Sequence, residues 1–366
     1  MEESSVQQED IKALLNKRPL IIAGPCSAET EAQVLQTAIE LKASGKVDML
    51  RAGIWKPRTR PGNFEGVGSV GLPWLQEAKR VTGLPYAIEI ATAKQLEIAL
   101  QHDVDAVWIG ARTTVNPFSV QEVADALRGV DIPVLIKNPV NPDLELWTGA
   151  LERVAAAGIE NISLVHRGFS VSRSGPYRNM PMWHLAIEMK RRFPERAFII
   201  DPSHICGNRH LLQEVAQHAV DLNYDGVIIE SHIDPDNAWS DAQQQITPSK
   251  LIELLDAIVW RAEGVACEDL HQPLKELRER IDRVDDELLA LMQHRMKISE
   301  QIGAYKKEHD ITILQTERWN EILERVRKIA ANAGLSQDFI KQYFDAIHME
   351  SIKHQDAVMN DKQNLL

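Results

Sequence analysis

The chain has 366 residues, with 53 acidic and 41 basic side chains and a formal net charge of −12. That balance argues against nonspecific nucleic-acid binding, which selects for basic surfaces, and no apolar stretch approaches the ~18 residues of a membrane-spanning helix. Three cysteines, Cys26, Cys206 and Cys267, make no disulfide framework and fit a reducing cytoplasm.

Residues 1–18 are polar and acidic and lack the apolar core of a signal peptide. From there to Trp260, short apolar runs alternate with amphipathic stretches of helical length. The runs start near Pro19, Asp48, Leu84, Asp105, Ile132, Asn161, Ala197 and Asp225. Runs of about four to eight apolar residues read as buried parallel strands. Examples of the helical stretches lie at 30–43, 93–101, 119–127, 144–157, 182–192, 211–221 and 248–260. Strand starts roughly 20 to 37 residues apart have the spacing of βα units. Eight such units predict a (β/α)8 TIM barrel, for which about 250 residues suffice. Two long loops, 57–70 and 231–247, suit closure over a substrate.

The runs end, in order, on Cys26, Arg51, Glu89, Arg112, Lys137, Arg167, His204 and Glu230. A barrel gathers these at its C-terminal face, where active sites of this fold lie. Cys26, in Gly24-Pro25-Cys26-Ser27, and His204, in Asp201-Pro202-Ser203-His204, join Glu230 and Asp241 as possible metal ligands. One thiolate, one imidazole and two carboxylates suit a borderline divalent transition metal better than Mg2+ or Ca2+. Each alone also reads as an ordinary packed or hydrogen-bonded side chain. The first, seventh and eighth strands are neighbours in a closed barrel, however, so the ligands can converge. Arg51, Lys56, Arg112, Lys137 and Arg167 place five cations at the same mouth. They would repel one another unless an anion binds among them. Arg58 and Thr59 extend the loop toward a second phosphate, and Glu89 is expected to partner one of the cations.

The barrel domain is expected over 1–262, a linker marked by Gly264 and Pro273 over 263–273, and a helical domain over 274–366. Apolar residues then recur at Leu270, Leu274, Leu277, Ile281, Val284, Leu288, Leu291, Ile298, Ile302 and Tyr305. These alternating steps predict a long helix with a coiled-coil-like seam. Two further helices are expected at 316–333 and 336–359, divided by Gly334 and with Ser336 as N-cap. Such a unit cannot bury its first helix alone, and dimerisation through that helix is the expected remedy. Arg295 interrupts the apolar seam and needs an anion, which a salt bridge also provides. Lys306 lies about 20° away around the same helix. Ser351 and Gln355 share a face of the last one.

The motifs at Gly24-Pro25-Cys26-Ser27, Arg51 with Lys56-Pro57-Arg58-Thr59, Ile109-Gly110-Ala111-Arg112, Ile136-Lys137, His166-Arg167-Gly168, Asp201-Pro202-Ser203-His204 and Glu230 with Ser240-Asp241 resemble the type I, β-subgroup 3-deoxy-D-arabino-heptulosonate 7-phosphate (DAHP) synthases. The resemblance implies that Cys26, His204, Glu230 and Asp241 bind a divalent metal, with Mn2+ the expected ion. It implies that Arg51, Lys56, Arg112, Lys137 and Arg167 bind phosphoenolpyruvate, and that Arg58 and Thr59 bind the phosphate of erythrose 4-phosphate. Lys56 is also the candidate general acid. Lys137-Asn138-Pro139 stands where relatives often have Lys-Arg-Gly. The related 3-deoxy-octulosonate 8-phosphate synthases take arabinose 5-phosphate and carry a Lys-Ala-Asn-Arg type loop instead of Lys56-Pro57-Arg58-Thr59.

Residues 277–306 and 338–355 resemble the AroQ-class chorismate mutases. This implies a chorismate site in an intertwined dimer, formed by Arg295, Lys306, Arg318, Ser351 and Gln355, with Arg278 from the partner chain. Arg295, Lys306 and Gln355 would carry the catalysis. Gln315 and Trp319 replace acidic residues usual in that family, and Trp319 is expected to pack on the barrel or on a partner. The expectation is a bifunctional shikimate-pathway enzyme whose barrel is inhibited by prephenate or chorismate. The alternatives are a synthase whose helical domain only senses ligand or dimerises, and an octulosonate-phosphate synthase.

Overall fold

The computed structural model describes residues 11, 14–15, 17–57, 62, 64–171, 175–261 and 268–360. The chain divides into two compact units, Met1–Glu263 and Gly264–Leu366.

In the first unit eight parallel strands close into a barrel in chain order: β1 (Leu20–Gly24), β2 (Met49–Arg51), β3 (Tyr86–Ile90), β4 (Ala106–Ile109), β5 (Val134–Lys137), β6 (Ile162–His166), β7 (Ala197–Ile200) and β8 (Gly226–Glu230). All but β7 start one or two residues later than hydropathy places them. Three of the displaced starts are aspartates that work as caps. Asp48, Asp105 and Asp225 accept the backbone N–H groups of Ile21, Tyr86 and Phe198 at 2.8, 2.9 and 2.7 Å.

The intervening helices are α1 (Glu31–Ala43), α2 (Gly71–Thr82), α3 (Ala93–Leu100), α4 (Ala111–Thr114), α5 (Pro117–Ala126), α6 (Leu144–Ala156), α7 (Trp183–Arg192), α8 (Pro202–Cys206), α9 (Leu212–Asp221) and α10 (Pro248–Ala257). Thr30, Thr92, Asn116, Asp143 and Thr247 cap their helices by accepting a backbone N–H two or three residues on. Helix α2 was not among the stretches named from the sequence. Helix α10 stops at Ala257, short of Trp260.

Two cores follow from the two-residue period of a strand. One lies between strands and helices, around residues such as Leu50, Ile88, Trp147 and Phe198. The other fills the barrel with Leu20, Ile22, Met49, Ala87, Trp108, Leu135, Val165, Ile199 and Ile228, closed below by Ile11 and Leu15. Two residues beyond these inward positions the sequence turns polar: Arg51, Glu89, Lys137, Arg167, Asp201 and Glu230. The site is therefore the top layer of the barrel interior.

The second unit contains α11 (Glu268–Glu308), α12 (Thr316–Asn332) and α13 (Gln337–Met359). Pro273, expected in the linker, lies inside α11. Ser336 caps α13 by accepting the Phe339 N–H at 3.2 Å. Helices α11 and α13 run parallel, since Tyr343 meets Met292, His354 meets Glu300 and Lys307 meets Val358. Gly303 permits their close approach, because a Cβ there would stand 3.0 Å from Gln355 Cα. The core of this unit is small, formed by Val326, Ala330 and Ile340 with Ile322 and Phe344 packed against them. The seam of α11 stays open: Leu277, Ile281, Val284, Leu288 and Leu291 are all exposed.

Candidate active site

One cavity at the barrel mouth is lined by Arg51, Lys56, Pro57, Glu89, Arg112, Lys137, Arg167, Arg178, His204, Glu230 and Asp241. Every predicted barrel residue among the described ones thus meets there, with Cys26 adjoining through its contacts to Lys56 and Asp241. Arg58 and Thr59 lie outside the described residues. Arg112 and His204 sit in the short helices α4 and α8 rather than on strands. Gly24 turns the chain toward Cys26 at φ +152°, where a Cβ would stand 2.1 Å from Arg51 O.

The expected repulsion among the cations is largely relieved within the fold. Arg51 bonds Glu230 at 3.1 Å, with side chains 3% and 0% exposed. Lys137 bonds Asp201 at 2.7 Å, equally buried. Both cations also lie over the Trp108 ring, 4.9 and 5.5 Å from its centroid. Burial opposes charge on Arg51 most, but Glu230, Cys26, Asp201 and Glu89 together outweigh it and raise the guanidinium above its usual value. Arg167 is different. Burial pulls it down to about 10, Asp201 opposes this, and Arg178 and Arg112 add to it. Among the described residues its Nη1 donates only to Gly168 O, at 3.3 Å. Glu89 acts on Arg51 and Arg167 through its field. Among the described residues six cations thus face four carboxylates around this mouth, a surplus of positive charge.

The four candidate ligands are linked in pairs. Cys26 Sγ lies 3.3 Å from Asp241 Oδ2, and His204 Nε2 lies 3.7 Å from Glu230 Oε1. Among the described residues no three such side chains are gathered as tightly as around a bound ion. Lys56 is bound to the first pair: its ammonium donates to Cys26 Sγ at 2.5 Å and to Cys26 O at 2.9 Å. Burial first, and Glu230 second, push the Cys26 thiol up to about 12. Burial would raise Asp241 too, but Lys56 and Arg178 outweigh it and hold the carboxyl below its usual range. His204 is lowered, mainly by burial. Its Nδ1–H faces Asp201 Oδ1 at 3.0 Å, leaving the Nε2 lone pair toward the cavity.

Three participants carried no predicted role. Asp201 orients His204, neutralises Lys137 and N-caps α8. Arg178 donates to Asp241 at 3.0 Å and to Gln244 at 2.9 Å. Trp108 floors the cation layer. Asp201 and Trp108 were findable, since both keep the inward parity of their strands. Arg178, in the loop after β6, has no such signal.

In the helical unit, Arg295 donates to the Ser351 hydroxyl and Lys306 donates to Ile313 O at 2.6 Å. Among the described residues neither cation has a carboxylate partner. Lys306, Ser351 and Gln355 are buried, and Gln355 Oε1 has no hydrogen-bond partner. Arg278 and Arg318 do not join them: Arg278 is exposed, and Arg318 pairs with Glu321 at 2.8 Å. Trp319 stacks on His348 within the same unit, with centroids 4.0 Å apart.

A closed barrel with a cation-rich mouth defines an enzyme built to handle anions. Residues 3–265 match the sequence model of the DAHP synthetase I family, to which the chain belongs. Residues 277–356 match that of chorismate mutase type II. Phospho-2-dehydro-3-deoxyheptonate aldolase of Thermotoga maritima is 31% identical over 245 residues, covering 67% of this chain and 70% of that protein. A 2-dehydro-3-deoxyphosphooctonate aldolase of Magnetococcus marinus is 29% identical over 257 residues, 65% of this chain and 85% of that one. The crystal structure of the Thermotoga maritima DAHP synthase superposes with a TM-score of 0.58 at 30% identity, over 66% of this chain and 68% of that one. Together the two domains make a bifunctional shikimate-pathway enzyme, a DAHP synthase joined to a chorismate mutase.

Proposed function

We propose that the barrel condenses phosphoenolpyruvate with erythrose 4-phosphate and water to give DAHP and phosphate. The observation that carries this reading is the surplus of cations at the mouth, with Arg167 buried among them, which suits a small ligand with both a carboxylate and a phosphate. Arg51, Arg112, Lys137 and Arg167 would hold those groups, and Arg58 and Thr59 the sugar phosphate. C3 of phosphoenolpyruvate bonds to the aldehyde carbon, whose oxygen takes a proton from Lys56. Water adds at C2, and the phosphate leaves from the same carbon. The cations hold the carboxylate and stabilise the charge that the departing phosphate gains with the electron pair of the broken C2–O bond.

Cys26, His204, Glu230 and Asp241 would hold a divalent metal, Mn2+ in our reading. The fit rests on the donor set and on Lys56, whose ammonium already stands as a cation among them. When bound, the metal supplies Lewis acidity toward the aldehyde. Chelation followed by Mn2+ addition, with phosphoenolpyruvate consumption monitored, tests this in the full chain. Full activity after verified metal removal would refute the metal site. Consumption with arabinose 5-phosphate instead of erythrose 4-phosphate would favour an octulosonate-phosphate synthase. The same reading puts the protein in the cytoplasm.

For the helical unit we propose the rearrangement of chorismate to prephenate. Two cations with only neutral partners suit a dicarboxylate, and Lys306 and Gln355 would face the ether oxygen that gains negative charge. Arg278 lies about 25 Å along α11 from Arg295, so it would enter the site from a second chain. The open α11 seam supports such a dimer. Prephenate or chorismate bound there would inhibit the barrel, and binding at the two sites would be coupled reciprocally. Unchanged synthase activity at saturating prephenate refutes that control. A ligand-sensing unit without catalysis is favoured by Gln315 and by the Trp319–His348 stack, and an absorbance assay of chorismate loss separates the two readings.

A further inference from the structure

The proposed ligands Cys26 and Asp241 belong to two segments, the turn after β1 and the loop after β8. Several contacts tie these together. The Cys26 N–H donates to Gln245 Oε1 at 2.8 Å, and Gln245 Nε2 donates to Ser240 O at 2.8 Å. The Ser27 and Ser240 hydroxyls lie 2.5 Å apart. The remaining tie is a buried Glu29–His232 pair that the reaction does not use, with side chains 5% and 4% exposed. Glu29 Oε1 accepts the Trp239 N–H at 2.7 Å, and Oε2 lies 3.4 Å from His232 Nε2. His232 Nδ1 accepts the Asp234 N–H at 2.9 Å, so its proton is on Nε2 and points at Glu29. The Trp239 ring meets Phe64 of the loop after β2 edge-on, with centroids 5.3 Å apart.

We propose that Glu29 and His232 are positioning residues that lock the segment leading into Asp241 against the Cys26 turn, and so fix the 3.3 Å separation of Cys26 Sγ and Asp241 Oδ2. The chemistry requires a carboxylate at residue 29. Two donors converge there, and only a carboxylate offers both an acceptor oxygen. Glutamine supplies one oxygen and sets an N–H against an N–H at the other. The proposal rests on the metal reading above, and groups that hold metal ligands in place are typically worth about 10- to 100-fold in metal affinity.

The test is calorimetric titration of the metal-stripped full chain with MnCl2, alongside its circular dichroism. Glu29→Gln removes one acceptor. His232→Asn keeps an acceptor for the Asp234 N–H but falls short of Glu29, whereas His232→Gln reaches Glu29 with an amide N–H. Glu29→Gln and His232→Asn should bind Mn2+ about 10- to 100-fold more weakly with unchanged dichroism, and His232→Gln should stay near wild type. Should Glu29→Gln fail to fold, the contrast between the two His232 variants carries the result. Wild-type affinity in His232→Asn overturns the proposal alone. A wild-type chain that binds no Mn2+, or whose binding ignores Cys26→Ala, overturns the metal reading and this proposal with it.

Discussion

Replacing Asp201 with asparagine tests whether the barrel mouth is held by compensated charge. Asp201 is fully buried, bonds Lys137 at 2.7 Å and faces His204 Nδ1 at 3.0 Å. Burial would raise its pKa, but His204 and Lys137 outweigh it and hold the carboxyl well below the usual carboxylate range. The sign is therefore stabilising at neutral pH. The contribution is present above the unfolded value and is lost as pH falls through the lower folded one. Asparagine keeps the shape and removes the charge, leaving the Lys137 ammonium buried without a counter-ion. Breaking one side of a buried pair costs about 3–5 kcal/mol. Lys137→Met in the same chain removes the orphaned cation and should restore a large part of that, with a coupling on the order of 2 kcal/mol. Urea unfolding followed by tryptophan emission reads the barrel, which contains Trp108, Trp147 and Trp183. A cost under about 1 kcal/mol for Asp201→Asn, or no rescue by Lys137→Met, refutes the reasoning.

Burial pulls His166 down to about 4, and its ring is bonded to Tyr224 Oη and Pro181 O. Its stabilisation is full above the unfolded value of about 6.5 and is lost as pH falls toward 4, by about 3 kcal/mol in all. Urea curves at about pH 7 and about pH 4.5 should show most of that decline, and His166→Gln should flatten it. Glutamate at both Ile281 and Leu288, which are 59% and 46% exposed on the α11 seam, should shift the protein to a smaller species in sedimentation velocity. An unchanged sedimentation coefficient would count against dimerisation through that face. Arg295→Ala should lower the mutase kcat/KM by about 100- to 1,000-fold and leave synthase kcat intact. Equal mutase rates would remove Arg295 from the site.

The barrel was legible because eight apolar runs at βα spacing have few other solutions. The site was legible where a strand ends on a charged side chain, as at Arg51, Lys137 and Glu230. Asp201 was passed over because its run was followed to His204, four residues past the end of β7. Counting inward parity up from Ile199 reaches Asp201 directly. The same counting takes Ala106 to Trp108 and Ala87 to Glu89. Arg178 escapes any local rule, because its place depends on where the loop after β6 meets the segment carrying Asp241. The start of α11 was misread because Pro273 was taken as a break, while the helix continues through it.

The two units handle buried positive charge in opposite ways, and this follows from their scaffolds. A closed barrel brings strands that are distant in sequence side by side, so Arg51 can meet Glu230 and Lys137 can meet Asp201 within the same layer. The cations are then held in place before any ligand arrives, and only a surplus is left to recognise an anion. Parallel helices α11 and α13 offer Arg295 a hydroxyl, and a backbone carbonyl serves Lys306. Neither supplies a counter-charge. Desolvation lowers both groups, and for Lys306 no charged neighbour offsets it. An incoming dianion therefore meets two cations in the helical unit that no carboxylate among the described residues offsets, whereas in the barrel part of the cationic layer is already paired. A ligand that binds only the folded helical unit stabilises it by an amount set by its concentration and affinity, so a dianion at Arg295 and Lys306 should raise that unit's unfolding midpoint.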